Sequence, residues 1–367
     1  MAHRSLAWPL AAVTVCLIAY ASLHPFSGWE APQHLQSKGW LLAVPQPRGV
    51  SRFDLLSNLL GYIPLGALLA AGVLRSGGSR WLAGLLALFL AAGLSYGLES
   101  LQHFLPRRVP SIIDWMLNAG GAAIGALVLL LVDKLGGLRR WQHWRERWLL
   151  RGRGTGLALL LLWPLGLLFP PPLPFGLGQV MRRAQDALAL WLEDSAWDGR
   201  LDTNWTSGVS QLVPAIEVLG IAGGLLAPCL LGYALTRSGP RRFAVLAATI
   251  LLGIAVTTLS TALNFGPEHA LTWITPPVGP AVALAAAVGA ALAWVPARAS
   301  AALAVVVLAA TLALINLAPP DPFYAASLQA WEQGRFIRFH GLSQWIGWLW
   351  PYAALVYLLA RAASRGE

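Results

Sequence analysis

Glu99 is the residue around which chemistry has to be argued. It stands near the end of the apolar run 81–104, with Ser95, Gln102 and His103 on the same helical face. A carboxyl group among apolar neighbours is costly unless bonded, so it marks a functional hypothesis. The next loop supplies Arg107 and Arg108. Two readings stand for these charges. One is structural pairing, Glu99 with Arg107 or Asp114 with Arg108; the other is a site for an anionic group.

Two stretches echo each other across 60 residues. Ser51, Asp54, Asn58 and Gly61 share the pattern S-x2-D-x3-N-x2-G with Ser111, Asp114, Asn118 and Gly121. Ser51 with Asp54, and Ser111 with Asp114, have the spacing of a capping box, with an acid in a positively polarised first turn. Capping leaves Asn58 and Asn118 unexplained. They lie one turn deeper on the same face, where an asparagine needs a partner on another helix or the other asparagine. Gly121 and Gly125 continue that face as G-x3-G, the spacing of close helix packing. The preceding runs also end alike, in Ser22-Leu-His24 and Ser100-Leu-Gln-His103, as a duplicated helical hairpin would.

Other motifs carry little. Gly93-Leu-Ser95-Tyr-Gly97 matches the nucleophile-elbow pattern, but that motif needs a strand-to-helix turn and here falls inside a predicted helix. His103 reads as a hydrogen-bonding residue and not as a metal ligand. Cys16 and Cys229 lie far apart in apolar runs and suggest neither a disulfide nor a thiolate site. No metal and no cofactor is expected.

The elements that must position these residues follow from composition. The 367 residues are 57% hydrophobic and 11% charged, with a mean hydropathy of +0.60. A soluble domain carries roughly 25% charged residues, so most side chains here face lipid. Long apolar runs exclude a membrane barrel and predict an all-α, polytopic helical membrane protein. Runs of bilayer length fall at 6–24, 54–74, 81–104, 114–132, 155–170, 212–236, 242–263, 276–295, 300–318 and 343–360, about ten transmembrane helices. Ala19-Tyr-Ala21 resembles a signal-peptidase site, but the first run has full span length and is read as retained.

With both termini cytoplasmic, 16 of the 26 basic residues and only three of the 16 acidic ones fall inside. The basic stretch Arg139–Arg153, interleaved with Trp141, Trp144 and Trp148, is then a topology anchor and interfacial belt. That accounts for the net charge of +10 without nucleic acid. The chain divides into a four-helix region, 1–134, and a six-helix region, 135–367. The second includes an amphipathic helix near 179–194 on the outer surface. Glu217 is a lone acid just inside its span.

The motifs combine into D-x3-N-x5-P-x-G (Asp54, Asn58, Pro64, Gly66), E-x2-Q (Glu99, Gln102), P-R (Pro106, Arg107) and D-x3-N-x2-G-x3-G (Asp114, Asn118, Gly121, Gly125). In this combination residues 6–134 resemble the VanZ-like family. Leu55 stands where many relatives carry Lys. The resemblance implies a bacterial cytoplasmic-membrane protein of the cell envelope, and an association with teicoplanin resistance. It does not reach the six-helix extension.

The preferred function is non-enzymatic. Asp54, Asn58, Glu99, Gln102, Arg107, Arg108, Asp114 and Asn118 would bind a polar or anionic headgroup of a lipid or cell-wall precursor at the outer ends of helices 2–4. The alternatives are an intramembrane enzyme using Glu99, Asp54 or Asp114 as acid or base, a transporter, and a scaffold.

Overall fold

The computed structural model describes residues 7–23, 26, 28–31, 52–106, 108–150, 153–180, 184–185, 188, 191–192, 213–317 and 337–364. Side chains at 52–54, 144–146, 317 and 337–342 are outside that description. The described residues form helices and no named strand. In chain order these are α1 Ala7–Leu23, α2 Arg52–Arg75, α3 Arg80–Gln102, α4 Ile112–Lys134, α5 Gly137–Trp148, α6 Gly154–Gly166, α7 Pro214–Leu235, α8 Arg241–Phe265, α9 Val278–Ala291, α10 Ala297–Leu317 and α11 Ile337–Ala363. Seven are long and apolar enough to cross a membrane, and α1, α6 and α9 are shorter apolar helices. Each predicted span therefore has its helix. The outer-surface helix expected near 179–194 falls largely outside the described residues.

The chain forms two compact units, Met1–Trp144 and Arg145–Glu367. In the first, α2 and α4 meet backbone to backbone. A Cβ on Gly125 would strike the Ile63 carbonyl, one on Gly121 the Leu59 carbonyl, and one on Gly66 the Ala122 carbonyl. This is the close approach expected of small residues at four-residue spacing where lipid gives helices no hydrophobic drive to associate. On α3 a second small-residue row, Ala83, Ala87 and Ala91, is fully buried and continues at the same interval into Ser95 and Glu99. The row turns polar just where α3 nears its end. At the opposite end Arg80 pairs with Asp133 at 2.9 Å, joining α3 to α4.

The second unit is built around α7. In its apolar window 89% of residues are buried, against 28–44% in the other long helices of this unit. Helices α6, α8, α9 and α10 pack around it, and α11 packs on α6 and α10. Glycines make room: Gly224 admits the Phe175 backbone, and Gly223 lies against Thr311.

One span departs from expectation. The helix predicted over 155–170 stops at Gly166, giving α6 a length of about 20 Å, short of a bilayer core of about 30 Å. Pro164 is accommodated inside α6; the consecutive Pro170, Pro171 and Pro172 are not, and the chain continues unwound through Gly178. Unwound backbone at membrane depth must be buried in protein with its polar groups satisfied. The segment's apolar side chains are buried, and several of its main-chain groups are bonded. Leu173, Phe175 and Leu177 are buried, and Phe175 packs edge-on against Trp273. Gly178 donates to the Gly347 carbonyl at 2.8 Å. Asn316 donates to the Gly178 carbonyl at 3.1 Å and accepts from the Val180 N–H at 3.2 Å.

Arg242, at the start of α8, is one of the 16 basic residues expected inside, and it is fully buried. Its guanidinium donates to the Tyr233 and Thr236 carbonyls at the end of α7, at 2.7 and 3.1 Å. It also donates to the Ala293 and Val295 carbonyls after α9 and to Ser300 Oγ. A cation placed where helix C-terminal carbonyls converge satisfies acceptors that have no partner within their own helix.

Candidate functional site

The polar end of the first unit is assembled by α1, α3, α4 and the α3–α4 loop. Ser111 is the N-cap of α4, with its hydroxyl accepting from the Asp114 N–H at 3.4 Å. The other half of the capping box is supplied from a different helix: Glu99 Oε2 accepts the Ser111 N–H at 2.9 Å. Glu99 is 4% exposed, and both the Arg108 guanidinium and the Asp114 carboxylate lie within its electrostatic reach. The buried acid thus fixes the end of α3 against the start of α4.

Gln102 Nε2 donates to the Ser22 carbonyl at 3.1 Å, and Arg108 Nη2 donates to the Ala21 carbonyl at 3.0 Å. Both draw in the last turn of α1, whose carbonyls lack partners of their own. Trp115 Nε1 donates to the Ala92 carbonyl at 3.0 Å, a further tie between α4 and α3.

Asn118 is 5% exposed and donates to Ser95 Oγ on α3 at 2.9 Å. The two asparagines are not joined. Asn58 is half-buried, and its side chain makes no hydrogen bond among the described residues. Ser51, the Asp54 side chain and Arg107 lie outside the described residues, so the Glu99–Arg107 pairing does too. Ser95 is buried in the middle of α3 with its oxygen engaged by Asn118, which fits small-residue packing and not a nucleophile elbow.

Tyr62 is a site residue that the sequence reading missed. It lies four residues after Asn58 and eight after Asp54, so the i+4 row already passed through it. Its hydroxyl lies by Ser95 and Glu99, yet is buried with no hydrogen-bond partner in bonding geometry among the described residues. Asn118 Oδ1 is buried and unpartnered in the same way. Two orphaned polar atoms in one cluster are unusual, because nearly all buried polar groups are bonded.

An apolar groove of about 450 Å³ lies between α1, α2 and α3. Val15 of α1, Leu65 and Leu69 of α2, and Leu90, Gly93 and Leu94 of α3 line it. Leu65 is three residues from Tyr62 and Leu94 adjoins Ser95, so the groove begins within about two helical turns of the polar atoms.

Residues 8–133 match the VanZ/LLP1 family model. The N-terminal region is VanZ-like. The match spans the whole of helices α2 and α3 and nearly all of α1 and α4, and with them the loop that carries Arg108 and Ser111. Residues beyond 133 lie outside the VanZ-like region. No curated protein and no solved structure matches the chain.

Proposed function

We propose that the VanZ-like module binds a membrane lipid, its polar or anionic headgroup at the Glu99–Asn118 cluster and its chain in the groove between α1, α2 and α3. The observation that supports it is an apolar groove within about two helical turns of buried polar atoms that have no partner in bonding geometry among the described residues. The Tyr62 hydroxyl can donate and Asn118 Oδ1 can accept, so a hydroxyl- or phosphate-bearing group would satisfy both. Arg108 adds positive charge on the loop side. An envelope lipid or a lipid-linked cell-wall precursor has this combination. The association of VanZ-like proteins with teicoplanin resistance belongs to the same proposal, as does a place in the bacterial cytoplasmic membrane.

The test uses the full chain purified gently and analysed for retained lipid by native mass spectrometry. Gly93 offers open space for a side chain, so Gly93→Phe should fold normally while filling the groove. Retained lipid should fall about tenfold or more, the equivalent of about 1.4 kcal/mol. Glu99→Gln keeps an acceptor for the Ser111 N–H while removing the charge, and should change which headgroups are retained. Unchanged lipid content in a folded Gly93→Phe protein would sink the reading.

Orientation is proposed on the same footing: both termini cytoplasmic, with the polar cluster at the outer surface. Reporter fusions after Arg147 and Arg241 should read cytoplasmic. An external signal at Arg147 would reverse the assignment, since that loop carries most of the charge asymmetry.

A further inference from the structure

The second unit holds a partly polar cavity beyond the family match. It measures about 50 Å³ and lies where the first turn of α7, the last turns of α8 and the unwound segment come together. Its walls are chemically one-sided. Pro170, Pro171, Pro172 and Pro174 form one wall, and proline has no N–H, so the only polar group any of them can offer is its carbonyl oxygen.

The opposite wall is a face of α8 at i, i+3, i+4 and i+7: Thr257, Ser260, Thr261 and Asn264. Several of its donors are already used on the main chain. The Ser260 hydroxyl donates to the Leu168 carbonyl at 2.8 Å, and that of Thr261 to the Thr257 carbonyl at 2.9 Å. The Asn264 amide nitrogen donates to the Ser260 carbonyl at 2.9 Å. What remains on these groups is chiefly oxygen lone pairs. Glu217 adds a carboxylate, and no Lys, Arg or His lines the cavity among the described residues. Thr257 is 4% exposed, and its hydroxyl and that of Thr275 are buried without a hydrogen-bond partner among the described residues.

We propose that this cavity binds a small monovalent cation, through the Glu217 carboxylate, the α8 hydroxyl and amide oxygens and the proline carbonyls. An oxygen-only ligand set suits a hard cation. The described lining holds one carboxylate, and no group of three or more His, Cys, Asp or Glu suited to a metal occurs among the described residues. A water needs about 10–15 Å³ by this measure, so the volume accommodates an ion with a few waters and excludes a bulky organic cation. Unwound backbone within a bundle is also how membrane proteins bring carbonyl oxygens to an ion.

The experiment follows thermal unfolding of the full chain in nanodiscs of zwitterionic lipid by tryptophan fluorescence. At constant ionic strength, choline is replaced by Na⁺, K⁺ or methylammonium. The proposal expects a saturable rise in Tm of about 3 °C or more for at least one small cation, with choline inert. The preferred cation tells an inorganic ion from a primary ammonium. Thr257→Val removes a hydroxyl that has no partner among the described residues, so its Tm in choline should equal that of the wild type. Its half-saturating concentration should rise about tenfold, as expected for loss of one ligand. Thr257→Ser should restore binding, and Glu217→Gln should weaken it independently should the valine variant fold poorly. Curves no different from choline would overturn the proposal, as would a saturable effect left intact in both Thr257→Val and Glu217→Gln.

Discussion

Gly125→Val should drive α2 and α4 apart and leave little folded protein. The added Cβ meets the Ile63 carbonyl and lies about 3.0 Å from the Ala67 nitrogen, and main-chain atoms cannot rotate away as a side chain would. Overpacking against mobile side chains costs about 1–3 kcal/mol, so a main-chain clash should cost about 3 kcal/mol or more. The measurement is monodisperse yield and Tm after purification, with Gly97→Ala as control. A Cβ on Gly97 would have nothing within 4 Å, and alanine there should gain up to about 1 kcal/mol from helix propensity. A Gly125→Val protein with wild-type Tm would mean that the backbone contact does not hold the VanZ-like module together.

The second large effect is expected at Arg242. Arg242→Leu leaves the carbonyls of Tyr233, Thr236, Ala293 and Val295 without their shared donor in a buried place. Each stranded group costs about 1–3 kcal/mol, so the variant should lose about 4 kcal/mol or more. Arg242→Lys should recover only part, because an ammonium lacks the planar fork that reaches two helix ends at once. Exposed Arg237→Ala should change stability by about 0.5 kcal/mol or less. Equal Tm values for the Leu and Ala variants would show that Arg242 acts only through its charge on topology.

Arg242 also shows where sequence reading stops. By position it belongs to a basic cluster at a span end, and that suffices to explain it. Its burial depends on three helix ends converging, a long-range fact that no local pattern carries. The spans themselves were legible because each is an apolar run long enough to see, whereas the basic, Trp-rich α5 was read as an anchor and not as a helix. So was the close approach at Gly121 and Gly125, since a four-residue repeat of glycine has one main physical use in lipid. The Ser111 cap was legible by spacing, but its completion by Glu99 from another helix was not. The early end of α6 was misread because leucine-rich residues run on through Phe169, and hydropathy does not register the missing N–H of three successive prolines. The oxygen-rich face of α8 was missed for a simpler reason. Thr257, Ser260, Thr261 and Asn264 have helical spacing in plain view, but threonine and serine barely lower the hydropathy of a span.

The burial of α7 has a consequence for how the protein is made. Its mean hydropathy of 1.9 is that of a lipid-facing helix, although from Gly220 to Leu235 it is buried within the finished unit. During synthesis α6 precedes it, while α8, α9 and α10 follow. At the moment of insertion most of the surface that will enclose α7 has not yet been translated. Its side chains must therefore suit two environments in succession, acyl chains first and protein afterwards. Leucine, alanine and glycine serve both. A polar residue added for its final neighbours would weigh against insertion before those neighbours exist.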